Sequence, residues 1–224
     1  MVRIDVGLAQ RFVKEEDRYV IGDLYYAVFD GLGGHRDGGV AAEIAKNVFS
    51  AFPNYRAEFT CGETLDMLTE SFAAFLSFVS ETVARATEGL TTCVAARIVE
   101  VNGGLHMVWA NAGDSRLYIC RDGKAIQVSE DESGAMGWSV ANCLGRDNGG
   151  GVRIVSQCGY FPLSVCEKVI LCSDGITGDT REEALSEDVI YELVAGVSVQ
   201  EAADNLLMGS RKYDDKTVIV LQVV

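Results

Sequence analysis

Four aspartates carry the chemistry of this 224-residue chain: Asp30, Asp114, Asp174 and Asp214. They lie far apart in sequence, yet each stands beside an apolar run. Asp30 ends Tyr25-Tyr26-Ala27-Val28-Phe29, and Asp174 ends Val169-Ile170-Leu171-Cys172-Ser173. Asp114 follows Met107 to Gly113, and Asp214 comes just before the run Thr217 to Val224. Such runs read as strands, and carboxylates at strand ends can be brought together on one rim of a sheet. Gathered carboxylates repel one another unless a cation sits between them. The pattern points to a site for a hard divalent cation, Mg²⁺ or Mn²⁺. Taken singly, each aspartate is also an ordinary turn or cap residue.

The elements that must position these residues follow from periodicity. Val2 to Ala9 and Arg18 to Phe29 read as strands, closed by the glycine-dense turn Asp30-Gly31-Leu32-Gly33-Gly34. Ala41, Ala45, Val48 and Phe52 predict a helix over Gly39 to Phe52. Leu65, Leu68, Phe72, Phe75, Val79 and Val83 predict a longer one over Glu63 to Thr87. Four strands are then expected over Thr91–Val101, Leu105–Ala112, Arg116–Cys120 and Lys124–Ser129. Asn102-Gly103 and Asp122-Gly123 are hairpin signals between them. Ser129 to Asn142 is irregular. Further strands are expected over Val152–Gln157, Cys166–Ser173 and Thr217–Val224. Capping boxes at Thr180-Arg181-Glu182-Glu183 and Ser198-Val199-Gln200-Glu201 predict two helix starts. Strand runs set apart from helix pairs indicate α+β layering, with sheets covered on both faces.

The chain shows no repeat or linker, and it reads as a single domain spanning residues 1–224. A formal net charge of −14 argues against nucleic-acid or anionic-membrane partners, which need a basic face. The seven cysteines form no CxxC pair and are odd in number, so buried free thiols are expected. Met1 to Asp5 does not read as a signal peptide, and no apolar run approaches the length of a membrane span. Together these fit a cytoplasmic protein.

The motifs resemble those of the metal-dependent PP2C-type (PPM) protein phosphatases, in particular the bacterial members. The matching blocks are Val28-Phe29-Asp30-Gly31-Leu32-Gly33-Gly34-His35, Thr91-Thr92, Ala112-Gly113-Asp114-Ser115-Arg116, Leu171 to Thr177, and Asp214-Asp215-Lys216-Thr217. They occur in the family's order and span nearly the whole chain. The resemblance implies a four-layer αββα sandwich, with two central antiparallel β-sheets flanked by helices. It implies a centre of two Mn²⁺ or Mg²⁺ ions that activates a water to hydrolyse phosphoserine and phosphothreonine in a phosphorylated protein substrate. By the same resemblance Asp30 bridges both ions and the Gly31 carbonyl ligates one. Asp174 and Asp214 ligate the other, Asp17 holds metal-bound water, and Asp114 matches a ligand of a weaker third metal.

The chain also departs from the family pattern. An arginine that binds substrate phosphate usually precedes the position of Asp17 by five residues. Here Phe12 stands there, so Arg11 or Lys14 is the candidate. Leu32 replaces the histidine of animal members, His35 follows the bacterial form, and Ser129-Glu130-Asp131-Glu132-Ser133 lacks the usual histidine. The span from Asp114 to Asp174 is short, which implies a reduced flap beside the site. Two other readings are a phosphatase of the SpoIIE/RsbU-like branch acting on a small phosphorylated regulator, and a weakly catalytic regulatory binding module. The Asp214-Asp215 ending motivates the first of these and the displaced arginine the second. The substrate, the preferred metal and the oligomeric state are not readable from sequence.

Overall fold

The computed structural model describes residues 3–33, 37–51, 64–132, 140–145, 151, 155, 157–178 and 184–224. Two five-stranded antiparallel sheets lie at its centre. One has the order β1 (Ile4–Arg11), β10 (Lys216–Val223), β9 (Lys168–Cys172), β6 (Arg116–Arg121), β7 (Lys124–Gln127). The other has β2 (Asp17–Ile21), β3 (Tyr25–Asp30), β4 (Cys93–Val101), β5 (Gly104–Ala112), β8 (Gln157–Pro162).

Three apolar layers hold the sandwich together. Between the sheets lie Tyr26, Val28, Met107, Leu117, Leu171 and Ile219. Outside the second sheet, α1 (Gly38–Ser50) and α2 (Leu65–Ala86) bury Ala45, Phe49, Phe72, Leu76 and Val83 against Phe29 and Ala95. Outside the first, α3 (Asp174–Thr177), α4 (Glu187–Val194) and α5 (Val199–Gly209) bury Ile176, Ile190 and Leu206 against Ile170 and Val218. Strand β10 shows why its sequence is apolar without alternation. Val218 and Val220 face the helices while Ile219 and Leu221 face the other sheet, because side chains alternate along a strand and here both faces are covered. The αββα layering expected from the resemblance is the observed one.

Local signals account for most boundaries. Asn102 and Gly103 have φ of 53° and 76°, and Asp122 and Gly123 have 51° and 80°. These are the left-handed pairs of tight hairpin turns. Thr64 caps α2 by accepting the Met67 N–H, and Ser198 caps α5 by accepting the Glu201 N–H. The other expected capping box, Thr180 to Glu183, lies outside the described residues; α4 is capped by Ser186, which accepts the Val189 N–H.

The strand expected over Val152–Gln157 falls largely on 152–154 and 156, which lie outside the described residues; the described strand β8, Gln157–Pro162, was not among those expected. Gly159 and Pro162 weakened the strand signal there. β8 tolerates both because, among the described strands, it is an edge strand bonded only to β5. Cys93, Cys120 and Cys172 are buried free thiols and Cys143 is buried, but Cys166 is exposed, in the turn before β9. Cys61 lies outside the described residues. Among the described residues no helix is long and apolar enough to cross a membrane.

Candidate metal centre

The antiparallel registers bring five strand ends to one rim. β3 ends at Asp30 directly opposite Asp17, which begins β2. β9 ends at Cys172, opposite Arg116 of β6 on one side and Val218 of β10 on the other. Asp174 lies two residues beyond that end of β9. Asp114 and Asp214 lie two residues before β6 and β10. Asp30 consequently sits in the field of Asp17, Asp174, Asp114 and Asp214. Arg11, by contrast, is exposed at the end of β1, opposite Lys216. His35 lies outside the described residues, as do 133–139 and 146–150, where the reduced flap was expected.

The electrostatics are those of carboxylates crowded together out of water. Burial, reinforced by the four neighbouring carboxylates, pushes the Asp30 carboxyl well above its ordinary range. Burial raises Asp114 to about 6, with Asp174 adding to the effect. Asp17 is fully buried and is raised to about 7 by burial, even though hydrogen bonds from Thr217 and Ser173 pull the other way. Ser173 Oγ and Thr217 Oγ1 each donate to Asp17 Oδ2 at 2.8 Å. Among the described residues Asp17 Oδ1 is buried with no hydrogen-bond partner. An unpartnered buried carboxylate oxygen is costly unless something positive or proton-donating reaches it.

Backbone and hydroxyl contacts lock the rim. Thr92 N–H donates to Asp30 O at 2.8 Å, Thr91 Oγ1 donates to the same carbonyl at 2.9 Å, and Thr92 Oγ1 meets Ser115 Oγ at 2.7 Å. Asp30 is thereby tied to the turn that carries Asp114. Glu132 accepts the Gly113 N–H at 3.1 Å, and Asp131 takes Arg116 in a two-pronged pair, so the segment lacking the family histidine anchors that turn instead.

Gly31 has no room for a side chain, since a Cβ there would come within 2.4 Å of the Gly38 backbone at the start of α1. At Gly175 a Cβ would come within 1.7 Å of Asp215 O. These two close approaches bring α1 against the Asp30 turn and the Asp214-Asp215 segment against α3.

Asp215 does something its motif did not reveal. Its Oδ1 accepts the N–H groups of Val13 (2.5 Å) and Lys14 (2.6 Å), and its Oδ2 those of Glu16 (2.5 Å) and Asp17 (3.2 Å). Burial alone would raise this carboxyl, but the four N–H bonds outweigh it and leave it below its ordinary range. The chain between β1 and β2 is wrapped around one carboxylate, a concave arrangement of amides suited to an anion. That loop presents Lys14, whose Nζ reaches Asp214 Oδ1 at 2.9 Å.

Lys212 is the second ammonium at the centre. Its Nζ donates to Asp174 Oδ2 and lies 3.5 Å from Asp214 Oδ2. Among the described residues no group of three or more His, Cys, Asp or Glu side chains stands ready-made to hold a metal ion. The two carboxylates joined by Lys212 are held by an ammonium. Donor chemistry nevertheless fits Mn²⁺ or Mg²⁺: hard oxygens from five aspartates, mutually repelling, one of them with an unpartnered oxygen. Sequence reasoning missed Asp215, Lys212, Ser173 and Thr217 as parts of the centre, although all four lie in or beside motifs already recognised.

The raised carboxyls make a pH prediction for metal-free protein. Asp17 and Asp114 hold protons in the fold that the unfolded chain has released, so their contribution is full below about pH 4 and is lost as pH rises through about 6 to 7, and Asp30, raised well above its ordinary range by burial and its neighbours' charge, acts in the same direction. Asp215, lowered, contributes only above the ordinary carboxylate range and loses that contribution on further acidification. The melting temperature of stripped protein should therefore be higher near about pH 5.5 than near about pH 8, and Mn²⁺ should raise it most at the higher pH. A melting temperature in chelator that stays flat or climbs over that interval would contradict the electrostatics described.

Comparison with known proteins yields one family model, Protein phosphatase 2C, matching residues 9–135. The Serine/threonine phosphatase stp of Listeria welshimeri is 28% identical over 219 residues, covering 87% of this chain and 82% of that protein. Among solved structures, Stp1 from Staphylococcus aureus superposes with a TM-score of 0.77 at 18% identity, covering 99% of this chain and 96% of that one. The catalytic domain of the phosphatase PstP, in complex with two manganese ions, superposes with a TM-score of 0.71 at 23% identity, covering 100% of this chain and 98% of that one.

Proposed function

The chain belongs to the protein phosphatase 2C family, and from that premise we propose that its carboxylate rim is the metal centre of a serine/threonine phosphoprotein phosphatase. One catalytic domain spans residues 1–224. The observation that carries this reading is the gathering of five aspartates at one rim, three of them pushed up by burial and each other's charge.

In this reading Asp30, the Gly31 carbonyl, Asp174 and Asp214 would hold two ions, and Asp17 would hold a metal-bound water. Asp114 would hold a third, more weakly bound ion. Bound Mn²⁺ or Mg²⁺ would supply a water of lowered pKa and neutralise charge on the phosphate oxygens. Ser173 and Thr217 fix one oxygen of Asp17, which leaves Oδ1 to orient a water. For the substrate phosphate, Lys14 is already held against the carboxylates, whereas Arg11 lies at the end of β1; Lys14 is the stronger candidate and Arg11 the second.

The side chains near the rim favour direct attack by water over a phosphoenzyme. The hydroxyls of Thr92, Ser115, Ser173 and Thr217 are committed to hydrogen bonds, and no imidazole stands beside them among the described residues. The Cys172 thiol is buried and pushed up to about 12, far from the thiolate a nucleophile needs.

The test is hydrolysis of p-nitrophenyl phosphate and of a phosphothreonine peptide by stripped and reloaded protein. Activity should vanish on chelation and return with Mn²⁺ or Mg²⁺. Undiminished turnover by protein shown to be metal-free would overturn the reading.

A further inference from the structure

The five carboxylates divide into two groups by what neutralises them. Asp17, Asp30 and Asp114 are the ones raised by burial. Asp174 and Asp214 share the Lys212 ammonium, whose charge also acts favourably on Asp114. Lys212 is therefore felt by three aspartates of the rim at once. Its side chain is only 11% exposed, against 48% for Lys14, so solvent screens its pairing far less.

The segment that carries Lys212 is anchored at both ends. It runs from the end of α5 at Gly209 to the start of β10 at Lys216. Ser210 Oγ donates to Gly175 O at 2.5 Å, Lys216 Nζ donates to Ser210 O at 3.0 Å, and Asp215 is pinned by the loop before β2. Lys212 thus reaches its two carboxylates from a backbone that stays in place. Its four-carbon stem lets the ammonium withdraw without moving the ligands' own backbone.

We propose that the Lys212 ammonium is an intramolecular competitor for the divalent cation, bridging Asp174 and Asp214 and raising the metal concentration at which the centre fills. The inference rests on the reading of Asp174 and Asp214 as metal ligands. A divalent ion that binds these two carboxylates must first break their bonds to Lys212. The free energy of that exchange is subtracted from metal affinity, as for any ligand that competes for one site. The phosphatase is then held off at low metal and switched on by a rise in Mn²⁺ or Mg²⁺.

The experiment is calorimetric titration of Mn²⁺ into metal-free wild type, Lys212→Met, Arg211→Met and Asp30→Asn. Lys212→Met should bind Mn²⁺ roughly 10-fold more tightly, about 1.4 kcal/mol, as loss of one charge-assisted pair implies. Arg211→Met, which removes an exposed charge one residue away, should leave affinity within about 2-fold, separating the bridge from a general change in charge. Equal or weaker binding by Lys212→Met, with wild type binding normally, overturns the competitor. So does an Arg211→Met variant that gains as much as Lys212→Met. Failure of the metal-centre reading looks different: wild type either takes up no Mn²⁺ or loses none of its affinity in Asp30→Asn. Half-activation of hydrolysis should shift to lower Mn²⁺ in Lys212→Met in step with the calorimetry.

Discussion

Asp30→Asn should abolish turnover while making the metal-free protein more stable. The rate should fall by at least about 1,000-fold, roughly 4 kcal/mol of transition-state stabilisation, because the residue assigned to both ions loses its charge. The gain in stability has a separate cause. Asp30 is held out of water beside four other aspartates, and its carboxyl is pushed well up as a result. A neutral amide of the same shape removes that repulsion. The contacts that fix this position run through its backbone, to Thr91 and Thr92, and survive the change. The melting temperature in chelator should rise by a few degrees above wild type near about pH 8, and the further rise on adding Mn²⁺ should largely disappear. Mn²⁺-dependent turnover within about 10-fold of wild type would remove Asp30 from the ligand set.

Asp215→Ala should be the most destabilising single change at the rim. It strips the acceptor from four N–H groups, those of Val13, Lys14, Glu16 and Asp17. Hydrogen bonds to a charged partner contribute roughly 1.5–3 kcal/mol each, and water entering the exposed side of the loop recovers part of the loss. A net cost of about 3–4 kcal/mol is expected, or a fall of about 10 °C in melting temperature for a chain of this size. Activity should drop with it, because the loop places both Lys14 and Asp17. Asp215→Asn should fall between the two, since one carboxylate oxygen becomes an amide nitrogen that faces N–H donors instead of accepting from them. Thermal melts of the three proteins in chelator decide the point. A melting temperature for Asp215→Ala within about 2 °C of wild type would mean that the loop is held by other contacts.

Short-range sequence information was enough for most of the elements and for naming the candidate site residues. The Asn102-Gly103 and Asp122-Gly123 turns, the Ser198 cap and the stripe on α2 are signals carried within a few residues, and each appears where local sterics and hydrogen bonding require. The aspartates were legible because an acidic residue ending an apolar run is a local feature, and their order along the chain pointed to the family. Strand β8 was not legible because edge position, not composition, allows it Gly159 and Pro162. What only the tertiary structure decided is which residues meet across long separations. The β2–β3 register sets Asp17 against Asp30, and a one-residue slip would send their side chains to opposite faces. Asp215 grips a loop some 200 positions away, at separations of 198 to 202 residues. Lys212 pairs with Asp174 across 38. Motif and periodicity describe each residue in its own segment, whereas these contacts depend on how β1, β10 and β9 lie side by side, and that order is set by burial of the whole sandwich.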